Sequence, residues 1–427
     1  MEVNFKQIQN YKSLFESFFS LSVLNGVNVI LPLITLPYIL RVVGSANYGI
    51  YAYVYVLIQY LLLLNNYGFN LSATKQIAEN REDKSRLNII YNSVTACRLL
   101  LFLVGVSLFA ALSPLLLNTD IKKMMFIMGL GMVLGDVLNP VWLFQGMEKM
   151  RYMTIVNLIS KLIFTVLIFV FIKKAEDYPY ILLINSLGFL LAGIASVIIA
   201  KKQFRISFAI PKRKDVCFQF KEGLALFGTS IGTNLYGNAN VFILNFFVDS
   251  TMVGMYAAAE KVFKGLQAAT SSITQALFPY TSKIFFGQTF NFKITKLQYI
   301  CKILLLLLTI PTIGVFVGAD VLIKLLCGTE YETSINLFRI ISPVIIIGAL
   351  NYTLGFIGLV NLNQQKIFLR GVLVSGCISV IFLLVTIPYW GVYSASFAML
   401  LSEIVLLVIC LYEVKKLKIN NRVNDFQ

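Results

Sequence analysis

The stretch LFESFFSLSVLNGVNVILPLITLPYIL, Leu14–Leu40, is longer than the roughly 20 apolar residues that cross a bilayer as a helix. It is also too long for the apolar core of a signal peptide, and it shows no small-residue cleavage pattern. Comparable runs recur along the whole 427-residue chain, which is 58% hydrophobic and only 13% charged. We therefore predict an all-α integral membrane protein rather than a soluble domain.

We predict about twelve transmembrane helices, each near the length that a bilayer requires. They cover residues 15–40, 49–71, 89–112, 122–145, 152–172, 179–200, 222–248, 254–281, 297–318, 335–360, 367–388 and 390–412. Lys and Arg are roughly four times as frequent on one side of this arrangement as on the other, which places both termini in the cytoplasm. The same bias accounts for the net charge of +16, so we expect no nucleic-acid partner.

Two short segments indicate an internal repeat. VGSANYGIYA, Val43–Ala52, aligns with VDSTMVGMYA, Val248–Ala257, at an offset of 205 residues. Six spans in each half give the halves the same direction, so we predict two pseudo-symmetric six-helix lobes around a central cavity. A basic link with a proline, residues 201–221, separates them, and the predicted lobes are residues 1–210 and 211–427.

The eighth predicted span carries charges where apolar residues are expected. At 100° per residue, Glu260, Lys264, Gln267, Ser271 and Thr274 share one helical face, which Lys261 flanks. Intramembrane charges usually mark a substrate path, so this pattern predicts a water-filled cavity. The alternative is that Glu260 and Lys264 neutralise each other at i, i+4 and help the bundle to pack.

Polar residues on two further spans fit the same cavity, because amides and hydroxyls suit sugar hydroxyl groups. Hydrogen bonding between packed helices is the competing interpretation for each of them. The candidates are Asn25 and Asn28 on the first span and Ser230, Asn234 and Asn238 on the seventh.

Three basic residues, Arg98, Lys161 and Lys302, lie inside predicted spans near their cytoplasmic ends. One interpretation is a basic vestibule that admits an anionic substrate. The other is that these long side chains reach back to the inner headgroups. The sequence leaves both open.

Several common types of site are not indicated. Histidine is absent and the six cysteines are scattered, so we expect neither a metal site nor a disulfide framework. GLGMVLGD, Gly129–Asp136, lacks the Lys-Ser/Thr of a phosphate loop. Gly131 and Gly135 instead predict close helix packing. We expect no cofactor and no catalytic residues.

Four segments give the chain a resemblance to a known family. They are LPYILRVVGSANYGIYAY (Leu36–Tyr53), NYGFNLSATKQIA (Asn66–Ala78), NPVWLFQGMEKMRY (Asn139–Tyr152) and GMYAAAEKV (Gly254–Val262). With the order of the spans, they resemble the oligosaccharide-unit flippases of bacterial polysaccharide assembly. These belong to the multidrug/oligosaccharidyl-lipid/polysaccharide exporter superfamily. The resemblance covers almost the whole chain, and it implies that Arg41 and the WLFQGMEKM turn are structural or gating features.

The resemblance implies a transporter of the cytoplasmic (inner) membrane, not an enzyme. Its substrate would be an undecaprenyl-pyrophosphate-linked oligosaccharide for O-antigen or capsule assembly, with membrane lipids, a polysaccharide polymerase and a chain-length regulator as partners. Lys261 and Lys264 would then contact the pyrophosphate. Glu260, Asp136 and Glu403 are the candidates for ion coupling. An ion-coupled drug antiporter of the same superfamily is the alternative.

Overall fold

The computed structural model describes residues 5–424, except for the side chains of residues 5–30, 33, 225, 228–236, 273, 276, 279 and 419–424. Between residues 5 and 424 it contains helices and no β-strand, which confirms the all-α prediction. The chain forms two compact units, Met1–Asn234 (unit 1) and Leu235–Gln427 (unit 2).

Unit 1 begins with a long helix, α1, that changes direction at Gly44. The backbone there has φ 74° and ψ 168°, which only glycine adopts easily, so residues 5–43 (α1a) and 45–66 (α1b) are separate helices. The other helices of unit 1 are α2 (Phe69–Glu79), α3 (Lys84–Leu116), α4 (Asp120–Leu138), α5 (Val141–Gly146), α6 (Met150–Phe171), a short 3₁₀ turn (Ala175–Asp177) and α7 (Tyr180–Gln203). Helix α8 (Arg213–Leu244) begins in unit 1 and ends in unit 2.

Unit 2 contains the remaining helices and one π-helical segment, Tyr352–Leu359. The helices are α9 (Ser250–Phe285), α10 (Phe290–Val317), α11 (Ala319–Cys327), α12 (Glu332–Ile341), α13 (Val344–Asn351), α14 (Gln365–Trp390) and α15 (Tyr393–Asn424).

Among the described residues, nine helical stretches are long and apolar enough to cross a membrane. The chain is therefore a multi-pass membrane protein. Helices α8 and α9 overlap the seventh and eighth predicted spans but are not among the nine, because both carry many polar residues.

Helices α4 and α7 of unit 1 touch backbone to backbone. A Cβ atom on Gly135 would lie 2.3 Å from the carbonyl carbon of Phe189, and one on Gly193 would lie 2.5 Å from the carbonyl oxygen of Gly135. A Cβ atom on Gly131 would lie 2.8 Å from that of Ser186. These distances confirm that Gly131 and Gly135 permit close helix packing.

The first turns of α8 belong to unit 1. The ring of Phe220 packs edge-on against that of Tyr67, with centroids 5.4 Å apart. The amides of Gln76 and Gln219 exchange hydrogen bonds of 3.1 and 2.9 Å. Because of these contacts, unit 1 extends to Asn234, whereas the predicted lobes divide at residues 210 and 211.

The two repeat segments occupy comparable places. In the first, the break at Gly44 precedes α1b, which starts at residue 45. In the second, Asp249 precedes α9, which starts at Ser250, and its carboxylate accepts a 2.7 Å hydrogen bond from the backbone N–H of Met252. The offset of 205 residues therefore aligns the starts of α1b and α9.

Candidate functional site

Helix α9 carries three charged residues far from both of its ends: Glu260, Lys261 and Lys264. The helix has 36 residues, and at 1.5 Å per residue Lys264 lies about 21 Å from its start at Ser250. Glu260 lies one turn earlier on the same face. The charges are therefore too deep to be explained as end caps of the helix.

Glu260 and Lys264 form an ion pair of unequal exposure. Lys264 Nζ lies 3.0 Å from Glu260 Oε1, and it also donates a 3.3 Å hydrogen bond to the backbone carbonyl of Gly237. The Glu260 side chain is 11% exposed, whereas that of Lys264 is 41% exposed. The pair predicted from the i, i+4 spacing is present, but the lysine side chain stays partly accessible while the glutamate side chain is nearly enclosed.

Lys261 adds a second accessible cation next to this pair. Lys261 is exposed on α9, next to the half-buried Lys264 and the buried Glu260. Further along α9, the hydroxyl groups of Ser271 and Thr274 donate to backbone carbonyls three residues earlier in the same helix. Their oxygen lone pairs can still accept hydrogen bonds.

Two asparagines at the end of α8 have different surroundings. Asn238 is half-buried beside Gly237, whose carbonyl contacts Lys264. Asn240 is buried, and its amide donates to the hydroxyl of Tyr256 at 2.8 Å and to the carbonyl of Ala395 at 3.3 Å. Asn240 thus joins α8, α9 and α15, a contact that no pattern in the sequence predicts. The structure does not describe the side chains of the other candidates on the first and seventh predicted spans, which are Asn25, Asn28, Ser230 and Asn234.

Arg98 of α3 lies in a buried polar cluster of unit 1. Its guanidinium forms an ion pair with Asp136 and donates a 3.2 Å hydrogen bond to the carbonyl of Asn139. The amide of Asn65 also donates to Asp136, at 3.2 Å, and Ser196 Oγ donates to the side chain of Asn139 at 3.0 Å. These bonds hold the guanidinium of Arg98 among the helices of unit 1. Its role in an inner vestibule stays a prediction.

The remaining candidates differ in their neighbours. Lys161 is half-buried on α6. Glu403 of α15 is half-buried, and its carboxylate accepts a 2.6 Å hydrogen bond from the amide of Asn351. Asn351 ends α13, directly before the π-helical segment. Of the three candidate acids, Glu260 and Asp136 have cationic partners, whereas this partner of Glu403 is a neutral amide.

Comparisons with known proteins concern almost the whole chain. The sequence profile of the family described as "Polysaccharide biosynthesis protein" matches residues 14–285. A protein of Escherichia coli (strain K12) named "Putative O-antigen transporter" is 26% identical over 96% of this chain and 99% of its own length. A Shigella dysenteriae protein of the same name is 25% identical over 92% of this chain and 98% of its own length.

Solved transporter structures share the fold. The lipid II flippase MurJ in an inward closed conformation has a TM-score of 0.70 at 13% identity, covering 95% of this chain and 87% of its own. An inward-facing multidrug resistance MATE family transporter has a TM-score of 0.67 at 15% identity, covering 91% of this chain and 95% of its own. At these identities the similarity concerns the fold alone.

Proposed function

The chain belongs to the polysaccharide biosynthesis protein family, and from this premise we propose that it moves undecaprenyl-pyrophosphate-linked oligosaccharides from the inner to the outer leaflet of the cytoplasmic membrane. The products would enter O-antigen or capsule assembly. The chain is a membrane transporter of polysaccharide biosynthesis and not an enzyme. Within this function, we propose that the lipid carrier is undecaprenyl pyrophosphate and that transfer runs from the inner to the outer leaflet.

The proposed architecture has twelve spans in two six-helix lobes, with both termini in the cytoplasm. It counts α1a, α8 and α9 as spans in addition to the nine apolar stretches. Their polar residues are compatible with a membrane position if they face water rather than lipid. The bias of Lys and Arg between the two sets of loops supports the orientation.

The observation that carries the proposal is the 41% exposed side chain of Lys264. It lies about 21 Å along α9, beside a carboxylate that is nearly enclosed. A pair that only neutralised itself for packing would gain nothing from exposing the cation. An anion-binding site requires this exposure, and Lys261 increases the local positive charge.

The physical problem for such a transporter is the charge of the headgroup. A pyrophosphate diester carries about two negative charges, and moving an isolated ion into hydrocarbon costs tens of kcal/mol. Lys261 and Lys264 in a wet cavity would lower this barrier. The polyprenyl tail can stay in lipid if the cavity opens sideways, and rocking of the lobes would expose the site alternately to each side.

The membrane potential can supply part of the driving force. An inside-negative potential of 100 mV contributes about 2.3 kcal/mol per charge, hence about 4.6 kcal/mol for two charges moving outward. Ion coupling would need a carboxylate, and Glu403 fits better than Glu260 or Asp136 because its amide partner does not neutralise it. Transport by the native chain and by Glu403→Gln would be compared with and without a proton or sodium gradient. If both depend on the gradient to the same extent, coupling at Glu403 is refuted.

Complementation tests the proposed function. Cells that lack their own flippase would receive the native chain, Lys264→Ala or Lys264→Arg, and surface polysaccharide would be measured. We expect full surface polymer with the native chain, at least a tenfold loss with Lys264→Ala and substantial recovery with Lys264→Arg, since Arg keeps the charge.

Lys324→Ala is the matched control, because Lys324 also pairs with an acid at i, i+4 (Asp320, 2.9 Å) but lies near the end of the short helix α11. It should leave surface polymer unchanged. Normal polymer with Lys264→Ala would refute the headgroup role. Efflux of small cations by the native chain, without surface polymer, would instead favour the drug antiporter.

A further inference from the structure

Helix α1b is enclosed on most of its circumference. Between residues 51 and 59, every residue is buried except Tyr51, Tyr55 and Gln59, which are half-buried. These three positions fall within about 80° of one another on the helix. The accessible part of this helix centre is therefore a narrow face of two aromatic rings and an amide.

This face does not have the composition of a surface in contact with lipid. On α3, the exposed residues include Leu99, Leu103 and Leu108, as expected for a helix that faces hydrocarbon chains. Between residues 51 and 59 of α1b the half-buried residues are polar or amphipathic, whereas the half-buried residues nearer the two ends include Ile50, Leu62 and Leu63. Tyr55 lies about 15 Å from the helix start, midway through a membrane core about 30 Å thick. Polar residues at this depth favour contact with a polar ligand.

The side chains of the face are held in place by one another. The ring centroids of Tyr51 and Tyr55 are 5.7 Å apart, with an angle of 30° between their planes. The side chain of Asn185 on α7 lies close to the hydroxyl of Tyr51, and that of Gln59 lies close to the hydroxyl of Tyr55. The result is an ordered surface of aromatic rings with hydroxyl and amide groups at its edge.

The internal repeat relates this face to the charged face of α9. The 205-residue offset that aligns the starts of the two helices also places Tyr55 at the position of Glu260 and Gln59 at the position of Lys264. Tyr51 corresponds to Tyr256, whose hydroxyl accepts a 2.8 Å hydrogen bond from Asn240, and the side chain of Asn185 lies close to the hydroxyl of Tyr51. Equivalent positions therefore hold an ion pair in unit 2 and neutral side chains in unit 1.

We propose that Tyr51, Tyr55 and Gln59, with Asn185, bind sugar rings of the transported oligosaccharide. This inference rests on the proposed function and assigns a part of the substrate to unit 1. Aromatic faces pack against the C–H faces of sugar rings, and hydroxyl and amide groups pair with sugar hydroxyls. Without a charge, this face forms no ion pair with the pyrophosphate, which the lysines of α9 would bind.

Binding measurements on the purified full chain in nanodiscs test this assignment. One ligand is the undecaprenyl-pyrophosphate-linked repeat unit extracted from the complemented cells, and the other is undecaprenyl pyrophosphate without sugar. We expect Tyr55→Ala to weaken binding of the sugar-bearing lipid about tenfold and of the sugar-free lipid less than about twofold. Tyr55→Phe keeps the ring and should stay within about threefold of the native chain for both ligands.

Two further variants serve as controls. Tyr60→Ala removes a half-buried tyrosine on the opposite side of α1b and should leave both affinities unchanged. Tyr55→Leu removes the ring but keeps a branched apolar side chain that fills more of the space than alanine, so it gives the same readout if the alanine variant does not fold.

The outcomes separate the two proposals. The sugar assignment is overturned if Tyr55→Leu binds the sugar-bearing lipid as tightly as the native chain, or if binding of both lipids weakens equally. The proposed function itself fails if the native chain binds neither lipid.

Discussion

Helices α1b and α9 begin at equivalent positions of a repeat, yet their accessible faces differ in charge. Tyr55 and Gln59 on α1b correspond to Glu260 and Lys264 on α9. Charged residues inside a membrane are costly and are retained mainly where they serve a function. The difference fits our proposal that α9 binds the anionic headgroup, while the equivalent positions of α1b hold neutral polar groups.

The two intramembrane ion pairs show a second contrast. The Arg98 side chain is 3% exposed and that of its partner Asp136 is 27% exposed, whereas Lys264 is 41% exposed and Glu260 is 11% exposed. The cation is enclosed in unit 1 and accessible in unit 2. A basic residue within a span is therefore a good candidate for anion binding only when its charged group is accessible.

The largest effect expected on stability comes from Arg98→Gln. This change leaves the carboxylate of Asp136 without its guanidinium partner inside unit 1, and breaking a buried pair in this way costs about 3 kcal/mol of unfolding free energy. Reversible unfolding in mixed detergent micelles would measure the loss. A stable Arg98→Gln chain that no longer transports would instead support the vestibule role of Arg98.

A smaller effect is expected at the accessible pair. Lys264→Gln should cost about 1 kcal/mol, because Glu260 loses its partner but Lys264 is already half in contact with water. A double-mutant cycle with Glu260→Gln should give a coupling energy of about 0.5–1 kcal/mol in the same unfolding assay. A coupling energy between Lys264 and Glu260 as large as the loss of unfolding free energy in Arg98→Gln would contradict the claim that the accessible pair contributes less to stability than the enclosed one.

The parts of the fold that depend on local sequence could be predicted. Apolar runs predicted the helical membrane architecture, the i, i+4 spacing predicted the Glu260–Lys264 pair, and Gly131 and Gly135 predicted a close helix contact. Each of these features is set by the chain within one or two helical turns, so a single sequence contains the signal.

The parts that depend on tertiary packing could not be predicted. The partners Arg98 and Asp136 lie on different helices, and nothing in their spacing reveals that they meet. Tyr51 and Tyr55 look like ordinary core residues until the burial of residues 52–54 and 56–58 shows that, with Gln59, they form the accessible face of this part of α1b. The end of unit 1 within α8, rather than in the basic link, likewise depends on contacts such as that between Gln76 and Gln219.

The most direct measurement of the central claim compares two lipids in vesicles that contain the purified chain. Both carry the same oligosaccharide, one through pyrophosphate and the other through an uncharged glycosidic link to the polyprenol. The native chain should transfer the pyrophosphate lipid faster, and Lys264→Ala should remove about tenfold of that preference while changing transfer of the uncharged lipid little. Equal slowing of both lipids by Lys264→Ala, or no slowing of either, would contradict the claim that the accessible cations of α9 carry the anionic headgroup.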